Sequence, residues 1–198
     1  QRIAIDHITY HIDKYRTPEA SNAMTYTKNV IVHGAPGTGK TFVTKVATIV
    51  AMCRGLRIIP TSLMAARANA LGGIHLHKLF SLPRSGDSCS PFRMAELALQ
   101  KLMNYPLKKH VLLSVDVLIW DEIGTASAEL VATVDIVYRK GRNYFLPFGG
   151  VLIIGTLDPY QIGPINAMPF LRSSMILTCF TMIELRNSVR AHGDINFI

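Results

Sequence analysis

Residues 33–41 read His33-Gly34-Ala35-Pro36-Gly37-Thr38-Gly39-Lys40-Thr41, a glycine-dense stretch closed by a lysine and a hydroxyl. Glycines at this density let backbone N–H groups converge where side chains would collide, and let the chain take positive φ. A concave row of N–H donors suits a polyphosphate. Gly34, Gly39, Lys40 and Thr41 fill the fixed positions of the G-x-x-x-x-G-K-[ST] phosphate loop. In that role residues Gly34, Ala35, Pro36, Gly37, Thr38 and Gly39 wrap the phosphates of a nucleotide. Lys40 bridges β- and γ-phosphate oxygens, and the Thr41 hydroxyl ligates Mg²⁺. A helix starting at the loop adds the favourable end of its dipole.

A second polar pair follows eighty residues after Thr41. Asp121-Glu122 closes the apolar run Val117-Leu118-Ile119-Trp120. An aspartate at a strand tip can hold Mg²⁺, and the glutamate beside it can orient and deprotonate an attacking water. Alone the pair would also serve as a helix cap; with the phosphate loop it favours nucleoside-triphosphate hydrolysis. A third group, Gln161, lies in the turn after Val151-Leu152-Ile153-Ile154, within reach of a γ-phosphate or the water.

These groups need rigid supports. Asn29-Val30-Ile31-Val32 reads as a buried strand leading into the loop, and residues 42–52 as the helix leaving it. Further strands are expected at 56–61, within Val111–Trp120, at 148–155 and at 178–185. Helices are expected at 2–15, 62–71, 92–105 and 126–139, with a polar loop at 81–93. Strands apolar throughout that alternate with helices signal a mainly parallel sheet covered on both faces, an α/β domain. Ligands in such sheets sit at the carboxyl ends of the strands, where each polar motif falls.

The 198 residues are 49% hydrophobic, enough for one well-filled domain, and carry a formal net charge of +8. That excess favours a polyanionic partner, most simply nucleic acid. Cys53, Cys89 and Cys179 form no C-x-x-C pair, which argues against a disulfide framework or a zinc site and suits a reducing compartment. No apolar run reaches the roughly 18 residues of a membrane span. The chain begins at Gln1 without methionine and ends in an apolar stretch, so it reads as part of something longer.

The order of these pieces resembles the first RecA-like domain of superfamily-one DNA helicases, most closely the PIF (petite integration frequency) type. Gly34 to Thr41 is similar to its Walker A motif and Asp121-Glu122-Ile123 to its Walker B. Pro60-Thr61 with Ala65-Ala66 is similar to its P-T-x-x-A-A segment, and Gly73-Ile74-His75-Leu76-His77 to its G-x-T-x-H element, with Phe80 beyond. Pro147-Phe148-Gly149-Gly150 and Asp158 to Pro164 are similar to the segments flanking its sensor strand. Leu185 with Ser188-Val189-Arg190, Asp194 and Phe197 is similar to the motif opening the second half of the ATP site. Departures are His75 for Thr, Gly124 for Ser, Leu157 for Gly and Gly163 for Pro.

The resemblance implies a RecA-like P-loop NTPase domain over residues 1–198, with a second such domain beyond Ile198. It also implies ATP and Mg²⁺ as ligands, single-stranded or forked DNA as partner, and an intracellular setting, the nucleus first, with cytoplasm or mitochondrion as alternatives. Lys40, Glu122, Gln161 and Arg190 would carry the chemistry, Thr41 and Asp121 the metal, and Gln1 the adenine. Thr61, His77 and Phe80 would meet the DNA strand. Residues 1–198 alone are expected to be monomeric, to bind nucleotide with little hydrolysis, and not to unwind DNA.

The alternative class is a P-loop ATPase that drives assembly or loading without translocation, with a small-molecule kinase more distant and a pure binding module also open. His75 and His77 without a third ligand make a weak metal site. Lys108-Lys109-His110, Arg54, Arg57, Arg139, Lys140 and Arg142 read as phosphate contacts or as solvated surface. Trp120 in a buried strand reads as core.

Overall fold

The computed structural model describes residues 1–15, 28–83 and 90–187. Among these residues the strands β1 (Asn29–Gly34), β2 (Ile58–Ser62), β3 (Ile74–His75), β4 (Val117–Asp121), β5 (Leu152–Leu157) and β6 (Phe180–Leu185) form one sheet. Every pairing is parallel, in the order β3-β2-β4-β5-β1-β6. Helix α1 (Arg2–Tyr15) precedes the sheet, and the crossovers that parallel neighbours need run through α2 (Lys40–Cys53), α3 (Ala65–Ala70), α4 (Leu76–Phe80), α5 (Pro91–Met103), α6 (Pro106–Ser114), α7 (Ala128–Gly141) and α8 (Met175–Cys179).

The period-two alternation of strand side chains divides the core. Val30 and Val32 of β1, Val117 and Ile119 of β4, and Leu152 and Ile154 of β5 pack with α1 and α2 through Ala4, Ile8, Ile12, Val43 and Ala47. Their alternates Ile31, Leu118, Trp120 and Ile153 pack on the opposite face with residues of α4, α5, α6 and α7. Because both faces are covered, these strands are apolar on both sides, as the sequence pattern implied. Trp120 is fully buried, core as expected.

Several elements differ from the sequence reading: the strand expected at 178–185 starts at Phe180, after α8, and β3 and α4 form where no element was expected. Three further differences have a local cause. Within Val111–Trp120 the apolar run is split: α6 opens at Pro106, whose fixed φ suits a first helical position, and ends at Ser114. Asp116 then accepts bonds from the backbone N–H and guanidinium of Arg57, clamping the entry to β4 against the entry to β2. Strand β5 starts at Leu152, because Pro147–Gly150 makes a tight 3₁₀ turn first, with positive φ at Phe148, Gly149 and Gly150. A Cβ on Gly149 would lie 2.3 Å from the Tyr138 carbonyl oxygen, so only glycine lets this turn close on α7. The helix expected at 62–71 shortens to Ala65–Ala70, since Ser62 still pairs with Asp121 in the sheet.

Strands β4, β5 and β1 are adjacent, so their three exits open at one rim. From β1 the chain crosses to β2 on one side, while β6 lies on the other, the kind of reversal where such sheets hold ligands.

Candidate functional site

The loop between β1 and α2 is set by Gly37 (φ 82°) and Gly39 (φ 91°), left-handed values that a Cβ disfavours. Thr38 Oγ1 donates to the Ala35 carbonyl at 2.9 Å and stiffens the bend. Gly34 has no room for a side chain, since a Cβ would lie 2.5 Å from the Leu185 carbonyl oxygen of β6. Lys40 is the first residue of α2. Its ammonium donates to the carbonyls of Gly34 and Ala35 and lies 3.4 Å from the buried Asp158 carboxylate.

Across the rim, Asp121 ends β4 and is buried. The β4–β5 register carries Thr156 opposite it, and Thr156 Oγ1 donates to Asp121 Oδ1 at 2.6 Å. The same hydroxyl accepts from the Glu122 N–H at 2.9 Å. Glu122 takes φ 56°, a left-handed conformation that costs about 1–3 kcal/mol in a non-glycine residue and persists only where surroundings enforce it. Thr156 and the 3₁₀ turn Ile123–Thr125 enforce it here. The Glu122 carboxylate is buried. Its Oε1 accepts from Arg67 Nη2 at 2.6 Å and from Gln161 Nε2 at 3.2 Å.

These groups share one cavity of about 340 Å³, lined by Pro36, Gly37, Gly39, Lys40, Thr41, Arg67, Asp121, Glu122, Thr156, Asp158 and Gln161. Its cations come from α2 and α3, its carboxylates from the ends of β4 and β5. The Thr41 hydroxyl and the Asp121 carboxylate are hard oxygen donors lining the same cavity, a set that suits Mg²⁺, which uses few protein ligands and completes its shell with phosphate and water. Among the described residues no group of three His, Cys, Asp or Glu forms a protein-only metal cage.

A second cavity, of about 440 Å³, is walled by Gln1, Ile3, Ala4, Thr38, Ile183, Glu184, Leu185, Arg186 and Asn187. Gln1 Nε2 donates to the Thr38 carbonyl at 3.1 Å, tying the start of the chain to the phosphate loop.

The residues expected to meet DNA fare differently. Thr61 is fully buried and its Oγ1 donates to the Ile74 carbonyl at 2.7 Å, so it joins β2 to β3 and presents nothing to a strand. Phe80 is also fully buried, edge-on to Tyr138 at 5.2 Å; its apolar ring at the inward face of α4 is core, which corrects the expectation of a DNA contact. His77 is partly buried and stacked on His75 at 5.7 Å. Burial, then the neighbouring His75, lowers its pKa and so disfavours the charged imidazolium. Arg190 lies outside the described residues.

Several basic residues are engaged with their own fold. Arg54 pairs with Asp13, Arg57 with Asp116, Arg139 with Asp135 and Lys140 with Glu96, while Arg142 donates to the Val115 carbonyl. No helix among the described residues is long and apolar enough to cross a membrane.

Three site residues carried no assigned role in the sequence reading. Asp158 stood in the sensor-like turn, and the apolar strand around Thr156 gave a register signal that strand order alone converts into a contact. Arg67 had only its place after Ala65-Ala66. Two departures prove to be one packing event: a Cβ on Gly124 would lie 3.0 Å from Leu157 Cγ, so the missing side chain at 124 makes room for the leucine at 157.

Thr156 offers a direct check. Replacing its hydroxyl by a methyl in Thr156→Val leaves Asp121 Oδ1 and the Glu122 N–H without their shared partner. Unfolding experiments are expected to show a loss of about 1–3 kcal/mol, whereas Thr156→Ser should retain most of the stability.

A glycine-rich loop after one strand, an acidic pair after its second neighbour and an amide after the strand between them, meeting in one polar cavity, define a P-loop nucleotide-binding α/β domain. The family profile described as PIF1-like helicase matches residues 16–194, and the chain belongs to that family. Similar curated proteins include the ATP-dependent DNA helicase PIF1 of Trypanosoma brucei brucei, 28% identical over 160 residues, covering 80% of this chain and 15% of that protein. The ATP-dependent DNA helicase PIF1 of Saccharomyces cerevisiae is 24% identical over 182 residues, covering 86% of this chain and 20% of its own length. The chain thus spans about a fifth or less of these two relatives. Among solved structures, the Pif1 helicase of Candida albicans superposes with a TM-score of 0.76 at 19% identity, covering 96% of this chain and 41% of that one. A Bacteroides sp Pif1 in complex with ADP-AlF4 gives 0.67 at 23%, covering 94% and 42%. The fold is the RecA-like α/β domain expected.

Proposed function

We propose that this chain is the ATP-binding domain of a DNA helicase, in which ATP hydrolysis drives movement along single-stranded DNA and the unwinding of duplex. The observation that carries the reading is the single cavity joining Lys40, Thr41, Asp121, Glu122 and Gln161, drawn from three adjacent strand ends. The family's relatives, named ATP-dependent DNA helicases, supply the class of output.

In this reading the loop's N–H groups and Lys40 hold the β- and γ-phosphates and neutralise their charge. Thr41 and Asp121 would hold Mg²⁺, which when bound would draw electron density from the phosphate oxygens. Glu122 takes the proton of the water whose oxygen attacks the γ-phosphorus, as the bond from phosphorus to the bridging oxygen breaks. Gln161, already on Glu122 Oε1, orients that water and reports the γ-phosphate. Gln1, bonded to Thr38 and facing the second cavity, is suited to read the adenine. The resemblance to the family assigns a further positive charge on the γ-phosphate to Arg190, which lies outside the described residues. The net charge of +8 supports a nucleic-acid strand, single-stranded or forked, as the partner.

The test is the ATPase rate of the full-length protein with and without single-stranded DNA over a salt series. The expected result is stimulation of many-fold, with an apparent DNA affinity that falls with log[salt] at about 0.7 per phosphate neutralised. A rate indifferent to single-stranded DNA at low salt would remove the motor reading and leave an ATPase with another output.

A further inference from the structure

The geometry points to Arg67 as the positioning residue for Glu122: its guanidinium fixes which carboxylate oxygen faces the reacting water. This rests on the reading above, in which Glu122 is the general base.

Arg67 Nη2 meets Glu122 Oε1 at 2.6 Å, a short, charge-assisted contact. The two side chains are unequally exposed, 47% for Arg67 and 7% for Glu122, so a half-solvated cation reaches in to a buried carboxylate. Gln161 Nε2 donates to the same oxygen at 3.2 Å. With both donors on Oε1, Oε2 is the oxygen left to accept a proton. The backbone of Glu122 is held by Thr156, so the remaining freedom is rotation of the side chain, and Arg67 and Gln161 together remove it.

The support beneath Arg67 is as firm as the contact. Its neighbour Ala68 is fully buried, and the Gly73 N–H donates to the Ala68 carbonyl at 2.8 Å. Gly73 packs so closely on β2 that a Cβ would lie 2.1 Å from the Pro60 carbonyl oxygen. Strand β2 pairs with β4 through Ser62 and Asp121, so α3 and the acidic pair leave adjacent strand ends in register. A guanidinium delivered from such an anchored turn holds its target within the narrow tolerance that proton transfer needs.

The experiment uses the full-length protein as wild type, Arg67→Ala, Arg67→Lys, Glu122→Gln and the double variant R67A/E122Q. ATP affinity is read with a fluorescent ATP analogue, and steady-state ATP hydrolysis is read in saturating single-stranded DNA. Arg67→Ala is expected to lower kcat on the order of 10- to 100-fold while KM and nucleotide affinity stay within about twofold. Arg67→Lys should recover much of the rate, because an ammonium can still pair with Oε1. In the Glu122→Gln background, adding Arg67→Ala should cost nothing further, the signature of two residues acting as one unit.

A raised KM and weakened nucleotide affinity with kcat intact would overturn the proposal and make Arg67 a phosphate ligand. So would unchanged kinetics in Arg67→Ala, or an equal rate loss on top of Glu122→Gln. Undiminished hydrolysis by Glu122→Gln itself would instead overturn the base assignment on which the proposal stands. Retained nucleotide affinity in each variant reports that the site is folded.

Discussion

Lys40→Ala is expected to weaken ATP binding on the order of 10- to 100-fold and to bring hydrolysis to background. The ammonium lies at the mouth of the loop, bonded to the Gly34 and Ala35 carbonyls and near Asp158. A charge-assisted hydrogen bond to a phosphate oxygen contributes about 1.5–3 kcal/mol, which is the stated loss of affinity. Loss of a cation where charge develops costs roughly another 10²–10³ in rate. Methyl replacement also leaves the buried Asp158 without its cation, so the variant's melting temperature should be recorded beside its activity. Nucleotide titration and DNA-stimulated ATPase assays check the result. Full activity in a folded Lys40→Ala protein would mean that the phosphates are held elsewhere.

Glu122→Gln is expected to separate binding from chemistry. The amide keeps the shape of the side chain, and the Glu122 N–H keeps its bond to Thr156, so ATP affinity should change by no more than about threefold. A positioned general base contributes about 10²–10⁴ in rate, and single-turnover hydrolysis should fall by that factor. The left-handed backbone at residue 122 makes this position informative. A conformation that costs free energy is retained here with the carboxylate turned into the phosphate-loop cavity and gripped by two donors. If the variant bound ATP normally and hydrolysed it at the wild-type rate, water activation would have to come from another group.

Much of the site could be read along the chain because its parts are local. The phosphate loop is eight consecutive residues, and its flanking strand and helix declare themselves by an apolar run and an apolar stripe. The acidic pair and Gln161 each stand at the end of such a run. Strands that are apolar on both faces imply a covered parallel sheet, and the structure has one. The weaker readings failed where tertiary contacts override local pattern. Phe80 stands four residues after Leu76 and next to Leu79, so α4 buries all three together and turns the ring onto Tyr138. A threonine at the end of β2 looked free to meet a ligand, whereas Thr61 is spent on the Ile74 carbonyl. The run Val111–Trp120 is almost unbroken, interrupted only by Ser114 and Asp116, and the partner that fixes Asp116 is Arg57, on another strand's approach.

By itself, then, the sequence determined the class of chemistry: which residues can hold a triphosphate, a metal and a water, and that they sit at strand ends. Tertiary structure decided who meets whom. Thr156 reaches Asp121 across 35 positions of chain, and Arg67 reaches Glu122 across 55. Those encounters depend on strand order and register, and a one-residue slip in register would turn Thr156 to the other face of the sheet. No local spacing encodes that order. It is set by the packing of two apolar faces against their helices, and the donors on the Glu122 carboxylate follow from it.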